Sequence, residues 1–448
     1  METVAGASHP VNGAMGCTGS RVRAEMGDLL FLAHRIPFPP NKGDKIRSYH
    51  LLRFLASRYR VHVGAFVDDP VDWKYASDLH RLGIDELCLR PLPRALALAR
   101  CLTALVAGKP LGLAYYKDRC MSRWVQDIAA RHSLEGVVIF SSVMAQYLTM
   151  LPRRVSAIVD FVDVDSEKWH AYSQTSSPPL SWVYQREART LLTFERKIAA
   201  QAQAATFVSS AEAELFCRLA PEVATQVLAA PNGVDTDFFS PDQHYSSPYR
   251  PEQQVLVFTG AMNYRPNVDA VIWFAEAIFP KILAVIPAAC FYIVGTQPTE
   301  AVRRLSAGRQ VYVTGTVADM RPYLAHARAA VAPLRIARGI QNKMLEAMAM
   351  ARPVLATPEA AEGIDLPPAC ENLVSATPDQ FAAKTIAVLL QGKGEEAGRK
   401  GREHVLQNYH WDNHLERFSA LLRTPFPRPL IGAEKEAIGG KENADEPC

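Results

Sequence analysis

Short apolar runs alternate with helix-length segments through nearly the whole of this chain, and that alternation restricts its fold more than any other feature. Strands that alternate with helices pair in parallel, because each helix carries the chain back across the sheet before the next strand begins. Strands are predicted at Asp28–Ala33, Val61–Phe66, Glu86–Leu89, Val137–Ser141, Ala157–Val162, Thr206–Val208 and Gln226–Ala229. A second series is predicted at Gln254–Thr259, Cys290–Val294, Gln310–Val313, Ala329–Ala332, Val354–Ala356 and Asn372–Val374. Helices are expected between them, among them Ile46–Ser57, Gln185–Ala202, Val268–Ile278 and Ile340–Ala351. The rhythm breaks at Ala230-Pro-Asn-Gly-Val-Asp-Thr-Asp-Phe-Phe-Ser-Pro241 and the Ser/Pro/Tyr-rich stretch after it, where turn and breaker residues cluster. Two complete series on either side of a break predict an α/β protein of two doubly wound domains, residues 27–230 and 252–401, joined by a linker at 231–251. Residues 1–26 and 425–448 lack periodicity and read as a disordered lead and tail.

At 448 residues the chain exceeds one typical core and suggests two or three domains. A hydrophobic fraction of 48% is that of a globular protein, and a net charge of +3 is too small to argue for nucleic acid. The longest apolar run, Ala95–Gly108, is broken by Arg100 and falls short of the roughly 20 residues that span a bilayer. No secretory signal opens the chain. Its 8 cysteines are scattered without a CxxC spacing, so they read as core residues in a reducing, cytoplasmic setting.

The densest chemistry lies in Ala332–Thr357, read as strand, glycine turn, helix and strand. At about 100° per residue, Gly339, Asn342, Lys343 and Glu346 share one face, with Met344, Leu345 and Met348 opposite. A helix start favours phosphate, and a carboxylate one turn on can hold ribose hydroxyls, so the segment suits a nucleotide diphosphate. The plainer reading is a surface Lys–Glu pair. Asp163 and Asp165 form an Asp-x-Asp that could hold a divalent cation or line an acceptor cleft, with Ser166 as a helix cap. The basic, apolar segment Arg94–Tyr116 reads first as a helical lid packed on its own domain. The second reading is a surface that docks on an anionic membrane.

Pro231-Asn-Gly-Val-Asp235 and Leu345-Glu-Ala-Met-Ala349, followed by Arg352-Pro-Val354, resemble the interdomain link and nucleotide-sugar helix of GT-B glycosyltransferases of family GT4. Thr259-Gly-Ala-Met-Asn-Tyr-Arg-Pro-Asn-Val-Asp269, Asp160–Trp169 and Gly339-Ile-Gln-Asn-Lys343 resemble the sugar transferases associated with exosortase-linked exopolysaccharide clusters in bacteria. The resemblance covers about residues 28–422. It implies the GT-B fold, two Rossmann-like domains with a cleft between them, and a final helix over 402–424 that returns to the first domain. It also implies a retaining glycosyltransferase whose nucleotide-diphosphate sugar donor, UDP more often than GDP, sits on the second domain. No cofactor or metal is implied. The acceptor would be a saccharide or a polyprenyl-linked saccharide, with a peripheral contact on the inner membrane's cytoplasmic face.

On that resemblance Glu346 matches the second glutamate of the family's E-x7-E pair, near the ribose. Arg338 stands where the first is expected, and Ala351 where glycine is usual. Backbone N–H groups of the Gly339–Ile340 turn would then meet the donor sugar, beside Asn342. Lys343, Arg335 and Arg265 are candidates to neutralise the diphosphate, with Gly260 closing a strand beside it. In the first domain, Gly43, Asp44 and Lys45 match the family's first-strand glycine loop facing donor phosphate or acceptor, Arg47 follows more weakly, and Asp163 would orient the acceptor hydroxyl or the donor sugar. Two rivals remain: a catalytically silent nucleotide-sugar binder and a UDP-amino-sugar epimerase. An NAD oxidoreductase is more distant, because neither half carries G-x-G-x-x-G after its first strand.

Overall fold

A computed structural model describes residues 26–40, 43–152, 155–308, 310–337, 339–392 and 394–424. Most of the expected lead, the whole tail and Arg338 lie outside the described residues. The chain forms two parallel sheets. The first holds β1 (Asp28–Ala33), β2 (Arg60–Val67), β3 (Glu86–Pro91), β4 (Leu134–Phe140), β5 (Ser156–Val162), β6 (Ala204–Phe207) and β7 (Val227–Ala229), in the order β3-β2-β1-β4-β5-β6-β7. The second holds β8 (Gln254–Thr259), β9 (Ala289–Val294), β10 (Val311–Gly315), β11 (Ala329–Ala332) and β12 (Val354–Ala356), in the order β10-β9-β8-β11-β12. Helices cover both faces, so the central strands are mostly apolar; β1, Asp-Leu-Leu-Phe-Leu-Ala, is buried throughout. Strand order reverses between β1 and β4 in one sheet and between β8 and β11 in the other. Loops leaving the carboxyl ends at such reversals open the crevice where α/β sheets bind ligands.

The predicted strands fall on these with end shifts of a few residues, except one. Asn372–Val374 contributes only an isolated bridge from Val374 to Ala356. A second correction concerns the end of the chain. In place of one helix over 402–424 there are two, Gly394–Asn408 and Trp411–Arg423, broken at Tyr409–His410. The break exists because Tyr409 leaves the helix to accept a hydrogen bond from the Val234 N–H at 2.8 Å, while His410 bridges Val234. The second helix then buries Trp411, Leu415, Phe418 and Leu422 against the core of the first domain. The chain therefore crosses between domains twice, side by side. Arg47 secures the earlier crossing, donating to Asn232 at 3.0 Å while its other nitrogens grip Asp160 at 2.7 and 3.0 Å. The Asn-Gly of the linker is thus held by a guanidinium from the first helix, Gly43–Ala56.

Candidate donor site and the opposing loop

In the second domain the site is assembled from three elements. β8 ends in Gly260, whose φ of +149° disfavours a side chain and where a Cβ would lie 2.7 Å from the Asn267 amide nitrogen. Asn267, in the helix Arg265–Trp273, donates to the Ala261 carbonyl at 3.0 Å and offers its side-chain oxygen to Lys343 Nζ. The third element follows β11. Gly339, at φ +62°, turns the chain so that the helix Asn342–Ala349 starts at the strand-order reversal. Gly363 packs so tightly on this turn that a Cβ there would come within 2.7 Å of the Ile340 nitrogen.

Lys343, Glu346 and Asn342 converge on the open side of that helix, with Met344, Leu345 and Met348 buried behind them. The ammonium of Lys343 lies 4.3 Å from the centre of the Phe258 ring and meets a neutral amide, with no carboxylate paired to it among the described residues. Burial lowers its pKa to about 7, against the attraction of Glu346. Burial likewise raises Glu346 to about 7, opposed by Lys343. The side-chain oxygen of Asn342 is buried without a hydrogen-bond partner among the described residues. A cation, a carboxyl and an amide at a helix start are groups that can meet an anion with adjoining hydroxyls. Ile340 is half-buried on the domain core. Arg265 begins its helix exposed. Arg335, a candidate to neutralise the diphosphate, grips Asp269 with two nitrogens, at 3.0 and 2.5 Å, and lies against Trp273.

The loop after β1 corrects more of the sequence reading. Lys45, expected to face a phosphate or acceptor, is buried and paired with Asp72 inside its own domain. Asp44 is pinned by Arg35 at 2.8 Å and His34 at 3.4 Å, which hold its carboxyl well below the usual range despite burial. Gly43 stands at the helix start with open space around it. His34, stacked on Phe140 and edge-on to Tyr116, sits at the carboxyl end of β1, and Arg35 links Asp44 to Asp68 at 3.0 Å. Neither was singled out from sequence, because a lone His-Arg ahead of a proline-rich loop carries no spacing signal.

Asp163 and Asp165 share Lys168, at 2.8 and 3.1 Å, so a lysine already supplies their counter-charge. Ser166 does not cap the helix Asp165–Thr175. It donates to Glu195 at 2.6 Å, and burial pushes that carboxyl up to about 8. The Arg94–Tyr116 segment divides: Leu113, Tyr115 and Tyr116 pack on the first domain's core, whereas in the Arg94–Val106 helix only Ala97 and Ala104 are buried, and Leu96, Leu98, Leu102 and Val106 face outward.

Residues 253–391 match the family model described as Glycosyl transferases group 1. The second domain is a group 1 glycosyltransferase domain, and the chain is a glycosyltransferase. Solved structures extend the likeness to the fold of the whole chain. HepE of Anabaena, in complex with UDP and glucose, superposes with a TM-score of 0.60 at 13% identity, over 89% of this chain and 99% of that one. Sucrose-phosphate synthase from Thermosynechococcus elongatus gives 0.60 at 18%, over 89% and 98%. WaaG, a glycosyltransferase involved in lipopolysaccharide biosynthesis, gives 0.58 at 15%, over 88% and 99%. Comparison with curated proteins finds no match. Two parallel-sheet domains of seven and five strands, arranged as in these enzymes, are the GT-B fold.

Proposed function

We propose that this glycosyltransferase moves a hexose-type sugar, with retention of configuration, from a nucleotide diphosphate donor, UDP in the first instance, to a growing lipid-linked exopolysaccharide. The observation that carries the proposal is the under-satisfied Lys343–Glu346–Asn342 cluster at a helix start beside Gly260. In this reading Glu346 accepts from the ribose hydroxyls, and the N–H groups of Gly339 and Ile340 meet the donor sugar. Lys343 neutralises the departing diphosphate, joined by Arg265 on the facing turn; Arg335 joins only by releasing Asp269. The leaving phosphate helps deprotonate the acceptor hydroxyl, which Asp163 orients from the first domain, and closure of the two domains excludes water. Of the first-domain loop, Gly43 and Asp44 line the acceptor side, and Lys45 supports them from within. No cofactor takes part in this scheme.

A lipid-linked acceptor is supported by the outward leucines of the Arg94–Val106 helix. Residues 92–117 contain no acidic side chain and carry Arg94, Arg100, Lys109 and Lys117, a composition suited to an anionic membrane surface. Among the described residues no helix is long and apolar enough to cross a membrane. The deciding experiment is calorimetry with UDP, GDP, ADP, NAD and common nucleotide sugars, with and without EDTA, on wild type and Glu346→Ala. Selective binding of one nucleotide diphosphate, indifferent to EDTA and weakened in the variant, is the expected result. Binding that requires metal moves the donor site to Asp163 and Asp165. Binding without turnover on any saccharide acceptor marks a silent nucleotide-sugar binder.

A further inference from the structure

At the amino-terminal edge of the first sheet, far along the strands from the loops described above, three distant positions meet. Asp28 opens β1, His62 is the third residue of β2, and His132 follows the helix Arg119–Arg131 into β4. Parallel register brings them together, since Asp28 lies opposite both Arg60 and Leu134, and His62 lies opposite Glu86 at the start of β3. His62 Nε2 is 3.0 Å from Asp28 Oδ1, and His132 Nδ1 is 3.6 Å from the same oxygen. Tetrahedral zinc, with ligands at about 2.0–2.1 Å, separates neighbouring ligand atoms by about 3.3 Å, midway between those two distances. The ligand atoms all lie within 4.8 Å of one another.

The far nitrogens are equally telling. His132 Nε2 is 3.0 Å from Glu86 Oε1, and His62 Nδ1 is 3.9 Å from that oxygen. A carboxylate behind a histidine is the outer layer that fixes tautomer and ring orientation at metal centres. His62 is wholly buried, and its Nδ1 has no hydrogen-bond partner among the described residues. With the proton on Nε2, shared with Asp28, the bare Nδ1 lone pair points toward another acceptor. A cation on Nε2 moves the proton to Nδ1, where it faces Glu86. Arg60 takes Asp28 Oδ2 at 2.6 Å, and Arg131 takes both oxygens of Glu86 at 2.8 Å. Those arginines fix the carboxylates and leave Asp28 Oδ1 for the cation, while their charge lowers its affinity.

We infer that Asp28 Oδ1, His62 Nε2 and His132 Nδ1 form a site for one divalent transition metal, zinc foremost, with water as the fourth ligand and Glu86 orienting both imidazoles. Two imidazoles with one carboxylate suit zinc or cobalt better than magnesium or calcium. His132 and Glu86 are partly exposed, which gives the ion a route in. Its place at the strand starts makes it a staple across β1, β2 and the β4 approach, with no part in sugar transfer.

Full-length protein stripped with EDTA and exchanged into chelator-free buffer would be titrated with Zn²⁺ and Co²⁺, following metal per chain, visible cobalt bands and Tm. One ion per chain, tetrahedral-type cobalt bands and a raised Tm are expected. Glu86→Gln should weaken binding about 10- to 100-fold, and His132→Gln, at a partly exposed position, should abolish the cobalt bands while the chain stays folded. Wild-type protein that takes up no stoichiometric metal and melts unchanged with Zn²⁺ overturns the site, leaving a histidine–carboxylate proton network. Binding that persists in His132→Gln overturns it equally.

Discussion

The loop after β1 and the turn after β11 each leave a strand beside the order reversal of their sheet, yet they handle charge in opposite ways. In the first, Asp44 is claimed by Arg35 and His34, Lys45 by Asp72, and Arg47 by Asp160. In the second, Lys343 meets an amide and an aromatic ring, and the Glu346 carboxyl has no hydrogen-bond or ion-pair partner among the described residues. A charge matched inside the fold braces it; a charge left beside neutral groups at a strand-order reversal is held for a ligand. The comparison separates bracing from binding where residue type alone could not.

The sharpest way to break the contrast is Asp160→Ala, which strands the buried Arg47. It should cost about 3–5 kcal/mol of stability, read by chemical denaturation. Lys343→Met should do the reverse: UDP affinity falls about 10- to 100-fold by calorimetry while the melting temperature holds or rises, because a desolvated cation is removed. On the proposed function, the charged form of Lys343 is the binding form. UDP affinity should therefore weaken as pH rises above about 7, and that loss should be absent in Lys343→Met.

Glu195 tests bracing without a counter-charge. Its carboxyl is raised from an ordinary 4.5 to about 8, so the fold prefers it neutral. Its contribution is whole below about 4.5 and is lost as pH climbs through 8. Glu195→Gln should flatten that slope and gain about 1–2 kcal/mol at pH 8, measured by pH-resolved melting. Smallest of all is Arg335→Ala: its pair with Asp269 is half-exposed, so stability should change by less than about 1 kcal/mol. A larger loss of UDP affinity would place Arg335 with the ligand-directed charges.

Much of the fold was legible because the central strands, such as Leu29–Ala33 and Val255–Phe258, are unbroken apolar runs that only a sheet covered on both faces can bury. The donor-side cluster was legible because its polar residues fall within two helical turns and share one face. The first-domain loop was misread for the converse reason. What Lys45 and Arg47 do depends on Asp72 and Asp160, 27 and 113 residues away, and no local spacing encodes those meetings. Asp28, His62 and His132 become neighbours only once the strand register is known. The break at Tyr409–His410 escaped notice because no glycine or proline marks it; a tertiary hydrogen bond from Val234 makes it.

The two interdomain crossings touch. Val234 bridges His410, and Gly233 lies so close to Trp411 that a Cβ would fall 2.7 Å from its backbone. Two connections at separate points would lock one domain onto the other, and a single connection would leave it free to twist. Two fused at one place set a common pivot, which resists sliding of one half across the other more than rotation about that point. Labels placed across the domains would read such rotation as a change in their separation.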